Sequence, residues 1–417
     1  VVGGTVIQGP SSAAIPGEAI GGAVAASRRL VVGFVSRYPP VPCGIGEYTR
    51  ALAEALLGVE PRLRVVVYST TEPGREPYRV GGVLVRPCYE RGSPSYDSLL
   101  RCLGEDGGVD VLHLSHEYGI YGDGPGVFDA LLEARERGLA SAVVATLHTV
   151  YHPRGLEGGR EERLAAQSRA AGMDAVVVHS VLQEHELRAQ GFPPERLHLI
   201  PHGTEPNPYL GRSPDKLLED LGIDPAGAPR PRIVTPGFLR PDKGLATLLE
   251  VAARLRSRGL RASFIVAGSP QGRAVARVER LAREAAERGE LVLIERYLGR
   301  GELQMLAAAS DLVLLPYRDR PGKYSVSGVL HDAMAAYRPI AGTRAARLVE
   351  LEQYAPGMTA PPGDAEALAA LAARALGDPE HADQEMSGLY AYTPRTYWSR
   401  VARRHLSLYQ DLLSPRA

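Results

Sequence analysis

The sequence predicts an α/β protein: two doubly wound, Rossmann-like halves in series, facing each other across a cleft. Three observations lead there. Short apolar runs rich in Val, Ile and Leu alternate with stretches of helical periodicity, the pattern of βαβ units around a mostly parallel sheet. The alternation pauses once, at the Pro/Gly-dense segment Pro201-His-Gly-Thr-Glu-Pro-Asn-Pro208, and then resumes. With 417 residues, the chain is also longer than one core normally serves.

The first half opens on the buried strand Leu30-Val-Val-Gly-Phe-Val35, which ends in the Pro/Gly loop Tyr38–Gly46. A helix follows over Glu47–Leu57, with apolar positions at helical spacing. Further strands are expected at Arg64–Tyr68, Gly82–Val85, Val109–Leu114, Ala142–Thr146, Ala175–Val178 and Leu197–Ile200. The helices of this half are Val127–Arg137, Glu161–Ala171 and Val181–Gln190. Ser115–Gly122 and Leu147–His152 read as loops at strand ends. The second half repeats the scheme with strands at Ile233–Thr235, Ser263–Ala267, Leu291–Ile294, Asp311–Leu315 and Pro339–Ala341. Its helix Val275–Arg288 carries Arg and Glu that read as a solvated face, and Thr393–Leu413 is a terminal helix with the chain's one tryptophan, Trp398. The domains expected are thus 30–203 and 204–391, with residues 1–29 as an N-terminal extension and 392–417 as the terminal helix.

Composition narrows the function classes. Lys+Arg and Asp+Glu are equal at 48 each, which gives no basis for nucleic-acid binding or for a polybasic membrane patch. Contact with a membrane is therefore expected to be peripheral and weak at most. The three cysteines, Cys43, Cys88 and Cys102, have no C-x-x-C spacing and suit a reducing compartment. No apolar run approaches the roughly 20 residues needed to cross a bilayer. Arg28-Arg29 follow the apolar part of the N-terminal stretch, the reverse of a secretory signal, so a cytoplasmic location is expected.

The stretch Pro236-Gly-Phe-Leu-Arg-Pro-Asp-Lys-Gly244 joins a β-branched run to a helical pattern, which places it at the carboxyl edge of a sheet, where open α/β folds bind ligands. Lysine is scarce: only Lys216, Lys243 and Lys323 occur. Lys243 in this loop reads either as an ammonium reaching a phosphate or as a solvated lysine at a helix start. Cys43-Gly-Ile-Gly46 opens a helix whose amides can receive a phosphate, although a tight turn explains it equally well. Ala267-Gly-Ser-Pro270 reads as a simple turn. In Tyr317–Asp332, Ser325, Ser327 and Gly328 offer hydroxyls and amides at a helix entry. Asp332 suits paired hydroxyls, such as those of a ribose, or compensates the helix dipole. His113 and His116 lack the spacing of a helical zinc motif and a third ligand, so no metal site is expected. Glu117, Tyr118 and Tyr121 line the acceptor side of the cleft or pack, and His202 with Gly203 shapes the linker turn.

Cys43-Gly-Ile-Gly-Glu-Tyr-Thr49, Thr146-Leu-His-Thr-Val150, Ile200-Pro-His-Gly203, Gly237–Gly244 and Ser325–Asp332 occur in the order seen in family 4 glycosyltransferases, which the chain resembles from about Leu30 to Leu413. More narrowly, His116–Gly122, Pro316-Tyr317 and Ser327–Leu330 resemble the mannosyltransferase-like branch. The resemblance implies the GT-B fold, with a C-terminal helix crossing back to the first domain, and a retaining transferase that needs no bound metal and no cofactor. Its implied partners are a nucleotide sugar, GDP-mannose first, and a hydroxyl acceptor. It leaves the oligomeric state unread.

The implied roles follow residue by residue. Gly46 approaches the donor's diphosphate or sugar, and His148 contacts the transferred sugar. Lys243 grips the diphosphate, with Gly237 in its loop. Ser327, Gly328 and Val329 supply amides near phosphate and sugar, and Asp332 is the second acid of the family's Glu-x7-Glu motif. Two departures stand out. Phe238 occupies the place of a frequent arginine, so Arg240 or another arginine is expected to reach the phosphate instead. Tyr324 occupies the place of the first acid, on the sugar side, although the mannosyltransferase-like branch carries a Ser-Ser-Gly-like loop in place of that acid. The alternatives are a UDP-glucose-type or other donor, a phosphorylase-like or epimerase-like enzyme of the same fold, or a nucleotide-sugar-binding protein without activity. A dinucleotide oxidoreductase is disfavoured, because no Gly-x-Gly-x-x-Gly follows a strand with an acid about 20 residues on.

Overall fold

The computed structural model describes residues 29–155, 160–272 and 275–414. The expected N-terminal extension, save for Arg29, lies outside the described residues.

The first domain is built on β1 (Val31–Val35), β2 (Arg64–Thr70), β3 (Tyr78–Val80), β4 (Val83–Tyr89), β5 (Val109–His116), β6 (Ala140–Leu147), β7 (Thr149–Tyr151), β8 (Ala175–Val178) and β9 (Leu197–Leu199). All but β7 form one sheet of order 3-4-2-1-5-6-8-9, parallel except at the β3–β4 edge. The central strands are buried on both faces, which is why they read as continuous Val/Leu runs rather than alternating ones. Tyr78–Val80 escapes sequence reading because three residues are too few to establish a period. The second domain carries β10 (Arg232–Pro236), β11 (Ser263–Ala267), β12 (Val292–Ile294), β13 (Leu312–Leu315), β14 (Lys323–Ser325), β15 (Ile340–Thr343) and β16 (Thr359–Ala360). Its parallel sheet has the order 12-11-10-13-15-16.

Strand order reverses direction at β1/β5 in the first sheet and at β10/β13 in the second. Loops leaving neighbouring strands diverge there and open a crevice at their carboxyl ends. The two crevices face one another.

The segment Leu147–His152, expected as a plain loop, contains β7, and the expected loop Tyr317–Asp332 contains β14. These two pair antiparallel across the cleft, Lys323 opposite Tyr151, Tyr324 opposite Val150 and Ser325 opposite Thr149. Pairing between segments so distant in sequence leaves no local signal. The helix expected from Glu47 starts at Gly44, and the helix entered from the Tyr317–Asp332 stretch starts at Gly328, with Ser327 as its cap accepting from the Leu330 amide.

The terminal helix, Trp398–Leu413, packs on the first-domain helix Gly44–Val59. Its Trp398, Val401, Ala402 and Tyr409 join Val32, Phe34, Leu52 and Val144 in one core. The Tyr409 hydroxyl lies 2.5 Å from His113 Nδ1, while Thr146 Oγ1 lies 2.7 Å from Nε2. His113 is thereby a buttress of this helix, with both ring nitrogens occupied. Among the described residues, no group of three or more metal-ligating side chains converges and no helix is long and apolar enough to cross a membrane.

The Pro201–Pro208 segment is more tightly held than its composition suggests. Thr204 bridges to Tyr397, and its hydroxyl sits 2.7 Å from His331 Nδ1 and 2.8 Å from Thr396 Oγ1. Gly203 lies flat beneath the Trp398 indole, where a Cβ would come within 2.1 Å of the ring. Gly203→Ala should therefore displace the terminal helix and lower stability by about 1–3 kcal/mol, the usual scale of overpacking. Chemical denaturation reads this directly, and an unchanged midpoint would show that the indole does not rest on Gly203.

Candidate functional site

Between the domains lies a cavity of about 680 Å³, lined from both sides. The first domain contributes Arg37, Cys43–Ile45, Glu47, Tyr48, Arg91, Glu117, His148 and Thr149. The second contributes Gly237, Phe238, Arg240, Lys243, the Gly268 turn, Tyr297, Arg300, Lys323, Ser325–Val329, Asp332 and Arg347. Ala267–Ser269, expected as a simple turn, is therefore part of the wall.

Gly244 explains how the loop after β10 is set. It is left-handed at φ +74°, and a Cβ there would lie 1.8 Å from the Pro316 carbonyl oxygen. Only glycine lets this loop close against the end of β13. The closure puts Lys243 Nζ 3.8 Å from the centre of the Tyr317 ring, a cation–π contact. Burial lowers the pKa of Lys243 well below its ordinary value, and Arg347 and Arg240 lower it further. Neither neighbouring arginine is free. Arg240 donates to both oxygens of Asp242, at 3.1 and 2.8 Å, and Arg347 donates to Asp242 at 2.5 Å and pairs with Asp319. Burial raises the Asp242 pKa, but the two guanidinium groups outweigh it and hold the carboxyl well below the usual range. Asp242 is thus spent on arginines, and Lys243 has no carboxylate partner. Arg240, expected to replace a missing arginine at Phe238, reaches the cavity with its charge offset. Phe238 itself stands 5.9 Å, centre to centre, from Tyr297 and forms an apolar wall with it.

The helix Gly328–Met334 turns Asp332 to the cavity and His331 inward, where Nε2 meets Glu350 at 2.9 Å. Ser327, Gly328 and Val329 line its entry. Burial pushes the Asp332 carboxyl up to about 6, against the pull of Arg300 and His331. Near neutral pH such a group exchanges readily between accepting and donating, which suits a pair of hydroxyls.

His148 follows β6, 6% exposed and edge-on to Tyr48 at 4.6 Å. Burial lowers its pKa well below the ordinary value, with His179 and His116 acting in the same sense, so its imidazole is neutral. Its Nε2 is buried without a hydrogen-bond partner. A buried ring nitrogen left open costs stability unless something fills it.

Three expected site residues are not brought to the cavity. Gly46 sits in the first helical turn, where its Cβ position faces the Arg37 carbonyl at 3.2 Å; Gly44 and Ile45 line the wall instead. Tyr118 is buried beside His116 and Tyr151, with its hydroxyl donating to the Arg163 carbonyl. Tyr324 packs on the first-domain core, because strand alternation on β14 turns it away while Lys323 and Ser325 face the cavity. Glu117 does line the cavity, accepting from Thr149 Oγ1 at 2.8 Å. Lys323, Tyr297, Arg300 and Arg347 line it too and were not expected there. The scarcity of lysine was the one signal that could have found Lys323. His202, assigned to the linker turn, has Nδ1 2.8 Å from the Gly203 carbonyl and still borders the cavity.

Comparison with known proteins speaks to the family and the fold. The family model described as Glycosyltransferase Family 4 matches residues 42–207, and that described as Glycosyl transferases group 1 matches residues 230–378. The amylovoran biosynthesis glycosyltransferase AmsK of Erwinia amylovora is 27% identical over 204 residues, 47% of this chain and 46% of that protein. The match spans about half of that relative's length. Among solved structures, Anabaena HepE in complex with UDP and glucose is similar at a TM-score of 0.68 and 17% identity, covering 92% of this chain and all of that one. Sucrose-phosphate synthase of Thermosynechococcus elongatus is similar at 0.72 and 18%, covering 92% and 99%. At such identities the likeness speaks for the fold.

The histidines set an acid limit on stability. Burial lowers the pKa of His113, His148 and His202 strongly, that of His116 to about 3, and those of His179 and His405 to about 4. Below the unfolded value of about 6.5, the unfolded chain binds protons that the folded one refuses, so stability falls as pH falls. Each group contributes a slope of about 1.4 kcal/mol per pH unit between its two pKa values. Asp332, with its pKa raised, acts in the opposite sense but is one group. Denaturation midpoints should drop steeply from pH 7 to 5.5; a flat profile would mean that these imidazoles are not held neutral.

Proposed function

The chain belongs to the family 4 glycosyltransferases of GT-B fold, and on that premise we propose that it moves a hexose from a nucleoside diphosphate sugar to a hydroxyl acceptor, with retention and without a metal ion. The observation that carries this reading is the pairing of Lys243, a cavity cation without a carboxylate partner, with a neutral His148 on the opposite wall.

The barrier is rupture of the bond between the anomeric carbon and the phosphate. Catalysis then requires stabilisation of the leaving diphosphate and of a sugar with oxocarbenium character. Lys243 and the amides at Gly328 and Val329 serve the diphosphate. Asp332 takes the ribose hydroxyls. His148, neutral and on the cavity wall, can hold a sugar hydroxyl beside the reacting carbon without adding a like charge to it. Closure of the two walls on the substrates would exclude water, which otherwise competes as acceptor. Retention by front-face attack assisted by the leaving phosphate is proposed on the family resemblance.

The proposed donor is GDP-mannose, on the resemblance at His116–Gly122 and Ser327–Leu330. UDP-glucose is the second reading, favoured by the structural neighbour solved with UDP and glucose. Thermal shift with GDP, UDP and ADP, followed by hydrolysis of a panel of nucleotide sugars, separates the two; binding without any turnover would instead mark an inactive binding protein. With the donor known, Lys243→Ala should lower turnover by about two to three orders of magnitude while the fold is kept, corresponding to roughly 2–4 kcal/mol of transition-state stabilisation. An unchanged rate would remove Lys243 from the mechanism.

A further inference from the structure

Of the three lysines in the chain, two line the same cavity. Lys216 is on the surface, paired with Glu219 at 2.9 Å. Lys243 and Lys323 face the cleft, and among the described residues neither has an ion pair. The arginines around them are engaged: Arg37 with Glu72, Arg240 with Asp242, Arg347 with Asp242 and Asp319, Arg91 with the Gly119 carbonyl and Arg300 with the Glu47 carbonyl. Among the described residues, the two cavity lysines carry neither an ion pair nor a side-chain hydrogen bond, whereas each of these arginines has a partner.

Lys243 belongs to the second-domain wall, against Tyr317. Lys323 is placed differently. It lies on β14, opposite Tyr151 of the first domain, and its ammonium stands 6.0 Å from the centre of that ring. Backbone pairing holds the strand, so this position does not depend on a flexible loop. Ser325, two residues on, faces the same cavity. Burial lowers the pKa of Lys323, Glu117 partly offsets this, and Arg347 and Arg240 add to it. A half-buried ammonium without a direct ion pair is costly to keep. Nearby, Arg37 also leaves a buried Nε unpartnered. Of the acids on this side, Glu47 is paired with Arg50 at 2.8 Å, while Glu117 is bonded only by the neutral Thr149 hydroxyl. Arg91, bonded only to a carbonyl, and Lys323 together outnumber Glu117, so this side of the cavity has positive charge to spare after the donor diphosphate has been given Lys243.

We propose that Lys323 binds an anionic oxygen group, a phosphate or a carboxylate, carried by the acceptor. This rests on the glycosyltransferase reading, with the donor on the Lys243 side. It makes Lys323 a specificity-determining residue: the acceptor hydroxyl is presented by a molecule held through its charge, and a neutral sugar of the same shape leaves the ammonium unpaired. Tyr324, at the place of the family's first acid, is turned away by the same strand that delivers Lys323.

The test uses the full chain, with Lys323→Ala and Lys323→Arg. UDP and GDP are titrated first, then inorganic phosphate and glucuronate as the smallest phosphate and carboxylate probes, each with and without saturating nucleotide. The expected result is anion binding to the nucleotide-loaded protein that Lys323→Ala weakens about tenfold or more, as for loss of a charged hydrogen bond, and that Lys323→Arg largely keeps. Nucleotide affinity should change less than about twofold, which also shows that the variant is folded. If neither probe binds the loaded protein, or if Lys323→Ala weakens the nucleotide as much as the anion, the assignment is overturned; in the latter case the lysine is a donor ligand. Absence of nucleotide binding by the unmodified chain would fail the donor-site reading, while the anion titrations without nucleotide still report on Lys323.

Discussion

The geometry of the cleft depends on one backbone contact, the antiparallel pair between Thr149–Tyr151 and Lys323–Ser325. It begins one residue after His148 and ends two residues before Ser327, so it joins the loop that bears the imidazole to the loop that enters the donor-side helix. Main-chain hydrogen bonds are short and directional. They therefore fix which side chains face inward far more narrowly than packing alone would. Alternation along β14 does the rest: Lys323 and Ser325 point to the cavity, and Tyr324 to the first-domain core.

At the other end of the cleft, the two domains are tied through Thr204, His331, Glu350 and the terminal helix. The His331 ring joins the Thr204 hydroxyl to Glu350, and Glu350 also accepts from the Tyr392 hydroxyl at 3.0 Å. Because His331 and Asp332 are adjacent on one helix, this buried network sets the orientation of the carboxyl in the cavity. The linker segment is consequently part of the framework of the cavity and contributes His202 to its wall.

The electrostatics of the cavity show a division of labour between arginine and lysine. Guanidinium groups, with several donors in a fixed plane, are used to lock carboxylates and carbonyls, as Arg347 does with Asp242 and Asp319. Ammonium groups, with compact charge on a flexible stem, are left unpaired at Lys243 and Lys323. Phe238 stands at the place of a frequent arginine, and Arg240 lines the same cavity with its guanidinium on Asp242. Phe238 pairs with Tyr297 in an apolar surface instead.

Periodicity and punctuation alone determined the α/β class and the alternation of strands with helices on either side of Pro201–Pro208, because buried parallel strands and amphipathic helices each leave a local pattern. The loops carrying His148, Lys243, Gly328 and Asp332 were legible for the same reason: each follows a recognisable strand or opens a recognisable helix. Only the tertiary structure decided that β7 and β14 exist, that Tyr118 and Tyr324 pack inside, that Gly46 faces the Arg37 carbonyl, and that Lys323 and His202 reach the cavity. These outcomes depend on contacts between segments as distant as Thr149 and Ser325. Such contacts form from the shape of two finished domains and have no counterpart in neighbouring residues.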